Sequence, residues 1–156
     1  MTFKSAVENT PGLEGEWRAG LQSLSGADRE HIGAEDTRQL RGSVNLDAAL
    51  KNSHRDDPRW DYAVGHKPIN RSGEVVYWIE IHPAGSAHVG AVLAKLAWLK
   101  HWLGRSAADL NALPKVFLWV SSGRTSFTAR APQVRRLAQA GLRHAGRFFS
   151  IPNVFP

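Results

Sequence analysis

The chain has 156 residues, 20 Lys plus Arg against 14 Asp plus Glu, and no Cys. Without cysteine there is no disulfide framework, no thiolate zinc site and no thiol nucleophile, and the length suits one domain over 1–156 whose core needs no staples. The N-terminal MTFKSAVENTPG lacks an apolar signal-peptide core, and the longest apolar run, Ala91–Leu99, is broken by Lys95 and too short to span a bilayer. A soluble, cytoplasmic protein with no membrane segment is expected.

The charge is unevenly placed. Residues 1–109 carry 13 basic and 14 acidic side chains, whereas residues 110–156 carry seven basic side chains and no acid. Arginine forks match phosphate geometry, so a purely basic C-terminal third points to a polyanion such as nucleic acid; a high-arginine surface without a partner is the plainer alternative.

Residues 1–41 are polar and irregular. Trp17, Leu21 and Leu24 recur at helical spacing and predict a short helix over Glu14–Leu24. Ser25–Arg41 is too long for a structureless loop in a compact domain, and reads as a further short helix or a mobile stretch. Three strands are then expected: Gly42–Leu46, Arg59–Val64, and Glu74–His82 (EVVYWIEIH), the last β-branched, aromatic and stopped by Pro83. Ala87–Leu103 is the best helix, with Val89, Val92, Leu93, Leu96, Leu99 and Leu103 on one stripe and Gly104 as its stop. Lys115–Val120 reads as a strand buried on both faces, followed by a turn at SSGRTS. Pro132–Ala140 reads as a helix ended by Gly141, and Arg147–Ile151 as a last short strand. This order predicts an α/β fold: a single mixed β-sheet flanked by helices, in which Ala87–Leu103 permits its two flanking strands to run parallel.

Strand alternation puts Trp78, Glu80 and His82 on one face and Tyr77, Ile79 and Ile81 on the other. Trp60, Tyr62 and Val64 read as the apolar face of their strand, which sets Asp61 on the opposite side; Asn45 and Asp47 share a face of the first strand. Neighbouring strands would bring Asp47, Asp61, Glu80 and His82 together. Carboxylates gathered away from water repel one another, and a dication relieves them: oxygen ligands suit Mg²⁺ or Mn²⁺, which polarise phosphoryl oxygens and activate water. Pairing of these acids with arginines at strand ends is the plainer alternative.

A helix, an Asp on a second strand, Glu-x-Lys on a third, then a helix and a further strand form the core of the PD-(D/E)XK nucleases, and this chain resembles that superfamily from about Gly42 to Gly123. Asp61 falls at the motif's Asp, and Glu80-Ile81-His82 at Glu-x-Lys, with His82 in the lysine position. The resemblance implies a restriction-endonuclease-like core over 42–123, preceded by a helical or irregular segment, 1–41, and followed by a basic helix and tail, 124–156. It implies that Asp61 and Glu80 hold the metal, that Ile81 lends its backbone carbonyl, and that His82 replaces the lysine that orients the attacking water. Asp47 is an additional metal ligand candidate, and Glu14 or Glu16 answers to an acid often found on the first helix. Lysine migrates to the following helix in some members; here Lys95 and Lys100 read as solvated or snorkelling side chains.

The reading is therefore a Mg²⁺- or Mn²⁺-dependent nuclease acting on DNA or RNA, with Asp61, Glu80 and His82 catalytic and Arg124, Arg130, Arg135, Arg136, Arg143 and Arg147 on the phosphate backbone. The alternative is an inactive nuclease-fold module that binds nucleic acid or a protein partner. His82 and His88 lack a strong zinc-ligand spacing, and neither Ser86 nor Ser121 sits in a nucleophile elbow. Ala91, Lys95, Trp98 and Trp102 form a stripe opposite the core stripe, to be covered by the N-terminal segment or used for a homodimer or protein partner.

Overall fold

The computed structural model describes residues 1–125 and 132–156. Helix α1 spans Phe3–Glu8, where Thr2 and Ser5 form a reciprocal capping box and Phe3, Ala6 and Val7 are buried. Helix α2 (Gly26–Arg29) is capped by Ser25 and precedes strand β1 (Ile32–Ala34). Strand β2 (Leu40–Asn45) ends where Asn45 caps the helical turn α3 (Leu46–Ala49). Strands β3 (Tyr62–His66) and β4 (Val75–Ala84) follow, then helices α4 (Val89–Ser106) and α5 (Ala108–Ala112). Strand β5 (Lys115–Thr125), helix α6 (Pro132–Gln139), and strands β6 (Leu142–His144) and β7 (Phe149–Ile151) complete the chain.

The fold is α/β. Five strands form one mixed sheet in the order β2-β3-β4-β5-β6, and β1 pairs with β7 in a small parallel sheet. Strands β2 and β4 each run antiparallel to β3 between them, whereas β4, β5 and β6 run parallel. The long crossover through α4 makes the parallel step possible.

Alternation along the strands divides the core in two. Trp78 and Trp119 face the side where Val92, Leu96, Leu99 and Leu103 of α4 are buried, and α1 adds Phe3, Ala6 and Val7 there. Tyr77, Ile79, Leu118 and Val120 face the other side, covered by Leu24, Ile32, Phe149, Ile151 and Phe155. Burying each such aliphatic or aromatic side chain contributes roughly 1.5–3 kcal/mol.

This division explains where the chain departs from its periodicity. Glu14–Leu24 is not a helix: it forms turns and an isolated antiparallel bridge between Arg18 and Ser43. Trp17 packs with the α4-side core while Leu21 and Leu24 join the opposite one, so the segment wraps the β2 edge, and one helix face could not serve both. Trp60 likewise does not share the face of Tyr62 and Val64: it precedes β3 and is buried in the α4-side core. Ser25–Arg41 holds α2, β1 and a 3₁₀ turn at Thr37–Gln39. Strand β4 passes through Pro83 to Ala84, with a register shift between His82 and Ala84 that accommodates the missing N–H. Helix α4 continues through Gly104 to Ser106, and β5 continues through the predicted SSGRTS turn to Thr125.

Two glycines are needed for close approach. Gly42 in β2 has φ +98°, and a Cβ there would lie 2.1 Å from the Trp17 indole nitrogen; one at Gly65 would meet the Phe3 ring at 2.4 Å.

Candidate active site

Antiparallel pairing sets Tyr62 against Ile79, so one step further along the register Asp61 stands opposite Glu80. The two residues lace the end of the ladder together. The Asp61 backbone N–H donates to Glu80 Oε1 at 3.2 Å, and the Ile81 N–H donates to Asp61 Oδ2 at 3.0 Å. The Asp61 carboxylate thus satisfies a β4 amide where β3 has ended, a local reason for an acid at that position.

The third member comes from α4. Lys95 Nζ donates to Glu80 Oε2 at 2.5 Å and lies 4.0 Å from Asp61 Oδ1. Its helix is held against the sheet by Val92, Leu96 and Leu99, and Lys95 lies on the stripe that reaches the end of β4. Lys95 is therefore neither solvated nor snorkelling, contrary to the sequence reading. Its signal was positional: it is the lysine on the helix after the Glu-x-His strand, but a helical wheel does not show which flank of a helix overhangs a strand end.

Glu80 is 0 % exposed at its side chain, while Asp61, Lys95 and His82 keep 19 %, 23 % and 24 %. Any molecule arriving from solvent meets the latter three first, with Glu80 behind them. Burial pushes the Glu80 carboxyl up to about 8, and the neighbouring Asp61 charge adds to this while Lys95 opposes it. Burial also raises Asp61 to about 6, against the lowering effect of Lys95 and of the Ile81 amide. For Lys95, burial disfavours the ammonium, but the Glu80 and Asp61 charges outweigh it and raise its pKa. One ammonium between two buried carboxylates leaves the centre short of positive charge.

His82 lies at the margin, with Nδ1 3.6 Å from Glu80 Oε2 and its ring 5.1 Å from that of His88. Burial, then the Lys95 and His88 charges, lower its pKa, so the imidazole is neutral at pH 7. The Trp119 indole N–H donates to the His82 carbonyl at 3.0 Å and anchors this end of β4.

Asp47 does not enter the cluster. It stands in the first turn of α3, not on a strand, and pairs with Arg59 Nε at 3.1 Å with its side chain 49 % exposed. Its charge reaches Asp61 and Lys95 only through space. Glu14 is exposed in a turn and accepts from the Gly12 N–H at 2.8 Å, and Glu16 is half-buried in the same non-helical segment, so neither lies on a first helix. Among the described residues, no group of three or more His, Asp or Glu side chains forms a metal cage.

Among the described residues, the predicted arginines lie on different elements and on both sides of the sheet. Arg135 and Arg136 are exposed on α6 and Arg147 is exposed before β7. Arg143 lies over the Phe149 ring at 5.6 Å, on the sheet face opposite α4. Arg130 and the side chain of Arg124 lie outside the described residues. On α4, Trp102 is buried and stacks on half-buried Trp98 (5.9 Å, 11°), while His54 and Asp57 meet Trp98 from the loop before β3. Pro11 and Gly12 line a second cleft together with Trp102. No helix among the described residues is long and apolar enough to cross a membrane.

No family model, curated protein or solved structure matches this chain.

Proposed function

We propose that the protein is a divalent-metal-dependent nuclease of the PD-(D/E)XK type, hydrolysing phosphodiester bonds in DNA or RNA, with Asp61, Glu80 and Lys95 as its centre. The observation that carries this reading is the meeting of two carboxylates and one ammonium, from the residue before β3, from β4 and from α4, at the end of the central strand pair. The topology around it, antiparallel β2-β3-β4 with an α4 crossover to parallel β5, supports the same reading.

The donor set fits a hard dication. Two carboxylates with raised proton affinity and too little positive charge beside them are the environment a dication relieves. Mg²⁺ commonly takes only one or two carboxylates, completing its shell with water and substrate phosphate, so a protein cage of three acids is not required. Asp61 and Glu80 would hold Mg²⁺ or Mn²⁺, with the Ile81 carbonyl as a third donor. Bound there, the ion would supply charge for the phosphoryl oxygens and a more acidic water.

The chain's own groups divide the remaining work. Lys95, rather than a residue in the Glu-x-Lys position, orients the attacking water and offsets charge on the phosphate. Neutral His82, at the solvent edge, accepts a proton or a hydrogen bond. The Asp61–Ile81 and Glu80–Asp61 hydrogen bonds hold both carboxylates in place before substrate arrives.

A second reading, binding without cleavage, is favoured by one observation: Lys95 is already engaged with Glu80. Incubation with plasmid, single-stranded DNA and RNA in Mg²⁺ or Mn²⁺ separates the two. The nuclease reading expects cleavage that chelator abolishes and that Glu80→Ala lowers by ~10²-fold or more. Binding with no cleavage in either metal would leave the second reading.

A further inference from the structure

Lys95 is followed on the same flank of α4 by Trp98 and Trp102, three and seven residues on. At ~1.5 Å rise per residue, Trp98 is one turn from the candidate centre. There it lines a cleft of ≈ 530 Å³ with His54, Asp57, His101, Trp102 and Arg105, within the ~300–1,000 Å³ range of ligand-holding clefts.

The cleft is rigid at its aromatic wall and polar elsewhere. Trp98 is fixed by its stack on Trp102, by the His54 ring edge at 5.7 Å, and by its indole N–H donating to Asp57 Oδ2 at 3.1 Å. The single carboxylate is thus already engaged. Arg105 brings a permanent charge, with Nη1 3.4 Å from His101 Nε2, and His54 and His101 add hydrogen-bonding nitrogens. An aromatic wall beside a guanidinium is the pairing that holds a base and its phosphate, whereas an apolar protein ridge would find only half-buried Trp98, since Trp102 is buried.

We propose that this cleft holds a nucleotide of a single-stranded nucleic acid that runs past the Asp61–Glu80–Lys95 cluster, its base packed on Trp98 and its phosphate on Arg105. The proposal rests on the nucleic-acid reading above, but not on catalysis.

The test is fluorescence anisotropy of a labelled single-stranded oligonucleotide with the full-length protein in chelator, where binding is read without turnover. Trp98→Ala is expected to weaken binding about tenfold and Trp98→Phe to restore most of it. Arg105→Ala, an exposed change that leaves the helix intact, is expected to weaken binding and reduce the salt slope by about one. An abasic oligonucleotide should bind the parent as weakly as the normal one binds Trp98→Ala. Parent-like binding by Trp98→Ala and Arg105→Ala, or equal binding of abasic and normal strands, overturns the proposal. So does dissociation of a dimer by Trp98→Ala in sedimentation, which would make the face a self-interface. Trp98-dependent binding without cleavage in Mn²⁺ would sink the nuclease reading alone; cleavage with Trp98-independent binding would sink this one alone.

Discussion

Lys95 on α4 and Glu80 on β4 meet at 2.5 Å although Glu80 is wholly buried. A buried carboxylate beside a second one is unfavourable for stability, and the chain spends its helix crossover on delivering one ammonium to it. That ammonium does not offset the burial of the two carboxyls, which is why both keep raised proton affinities.

Removing Lys95 should therefore cost more at high pH than at low. At pH 9 both carboxylates are ionised in the parent, and Lys95→Met leaves them either unpaired or forced to take up a proton, so we expect a loss of about 3–5 kcal/mol there. At pH 5 Glu80 holds its own proton and the loss should be small. Urea unfolding at the two pH values measures the difference. In the nuclease reading the same change lowers single-turnover cleavage by about 10²–10⁴-fold.

The carboxyls also set the pH dependence of the parent. Unfolded Asp and Glu titrate near pH ~4, whereas folded Asp61 and Glu80 titrate at about 6 and about 8. Between pH ~4 and those values the folded state binds more protons, so stability falls as pH rises, by up to ~1.4 kcal/mol per unit for each proton involved. Lys95, raised in the folded state, titrates above this window. His66, His82 and His144, whose pKa values burial lowers, act in the opposite sense up to pH ~6.5, so melting midpoints from pH 7 to 8 should fall for the parent and stay flatter for Glu80→Gln. Added Mn²⁺ should raise the midpoint more at pH 8 than at pH 6, because bound dication displaces those protons.

Most of the architecture was legible because burial imposes period: EVVYWIEIH and the Val89–Leu103 stripe each have one dominant solution. The alternation placed Glu80 on the α4 side, and the register then set Asp61 against it. Alternation failed where residues leave regular structure. Asp47 continues the alternation of the first strand in the sequence, but Asn45 caps a helical turn there and the chain leaves the sheet toward Arg59. Glu14–Leu24 matched helical spacing, but its apolar residues serve opposite faces of the sheet. Lys95 was visible but undecidable, since its role depends on how α4 lies over β4, and that is fixed by long-range packing of Val92, Leu96 and Leu99.

Asp47 separates the two descriptions of the site. Its side chain is half-exposed, and the largely buried Arg59 keeps its hydrogen bonds to the Asp47, His54 and Arg55 carbonyls without it, so Asp47→Ala should cost only about 1 kcal/mol and leave cleavage within ~10-fold of the parent. A loss as large as that of Asp61→Ala would make Asp47 a ligand after all.

Gly42 is where one methyl group should matter far from the site. With φ +98° and the Trp17 ring against it, Gly42→Ala should destabilise by more than ~1 kcal/mol, read as a lower denaturation midpoint at unchanged slope. Trp17 keeps its indole hydrogen bond to the Arg41 carbonyl only if β2 holds this shape.

The central claim is that Asp61, Glu80 and Lys95 act as one centre, and single-turnover cleavage in Mn²⁺ by Asp61→Asn, Lys95→Met and the double variant tests it most directly. Groups that act together lose nearly everything with the first substitution. The account predicts that each single variant is nearly as impaired as the double. Single variants that cleave like the parent, or losses that simply multiply in the double, would contradict it.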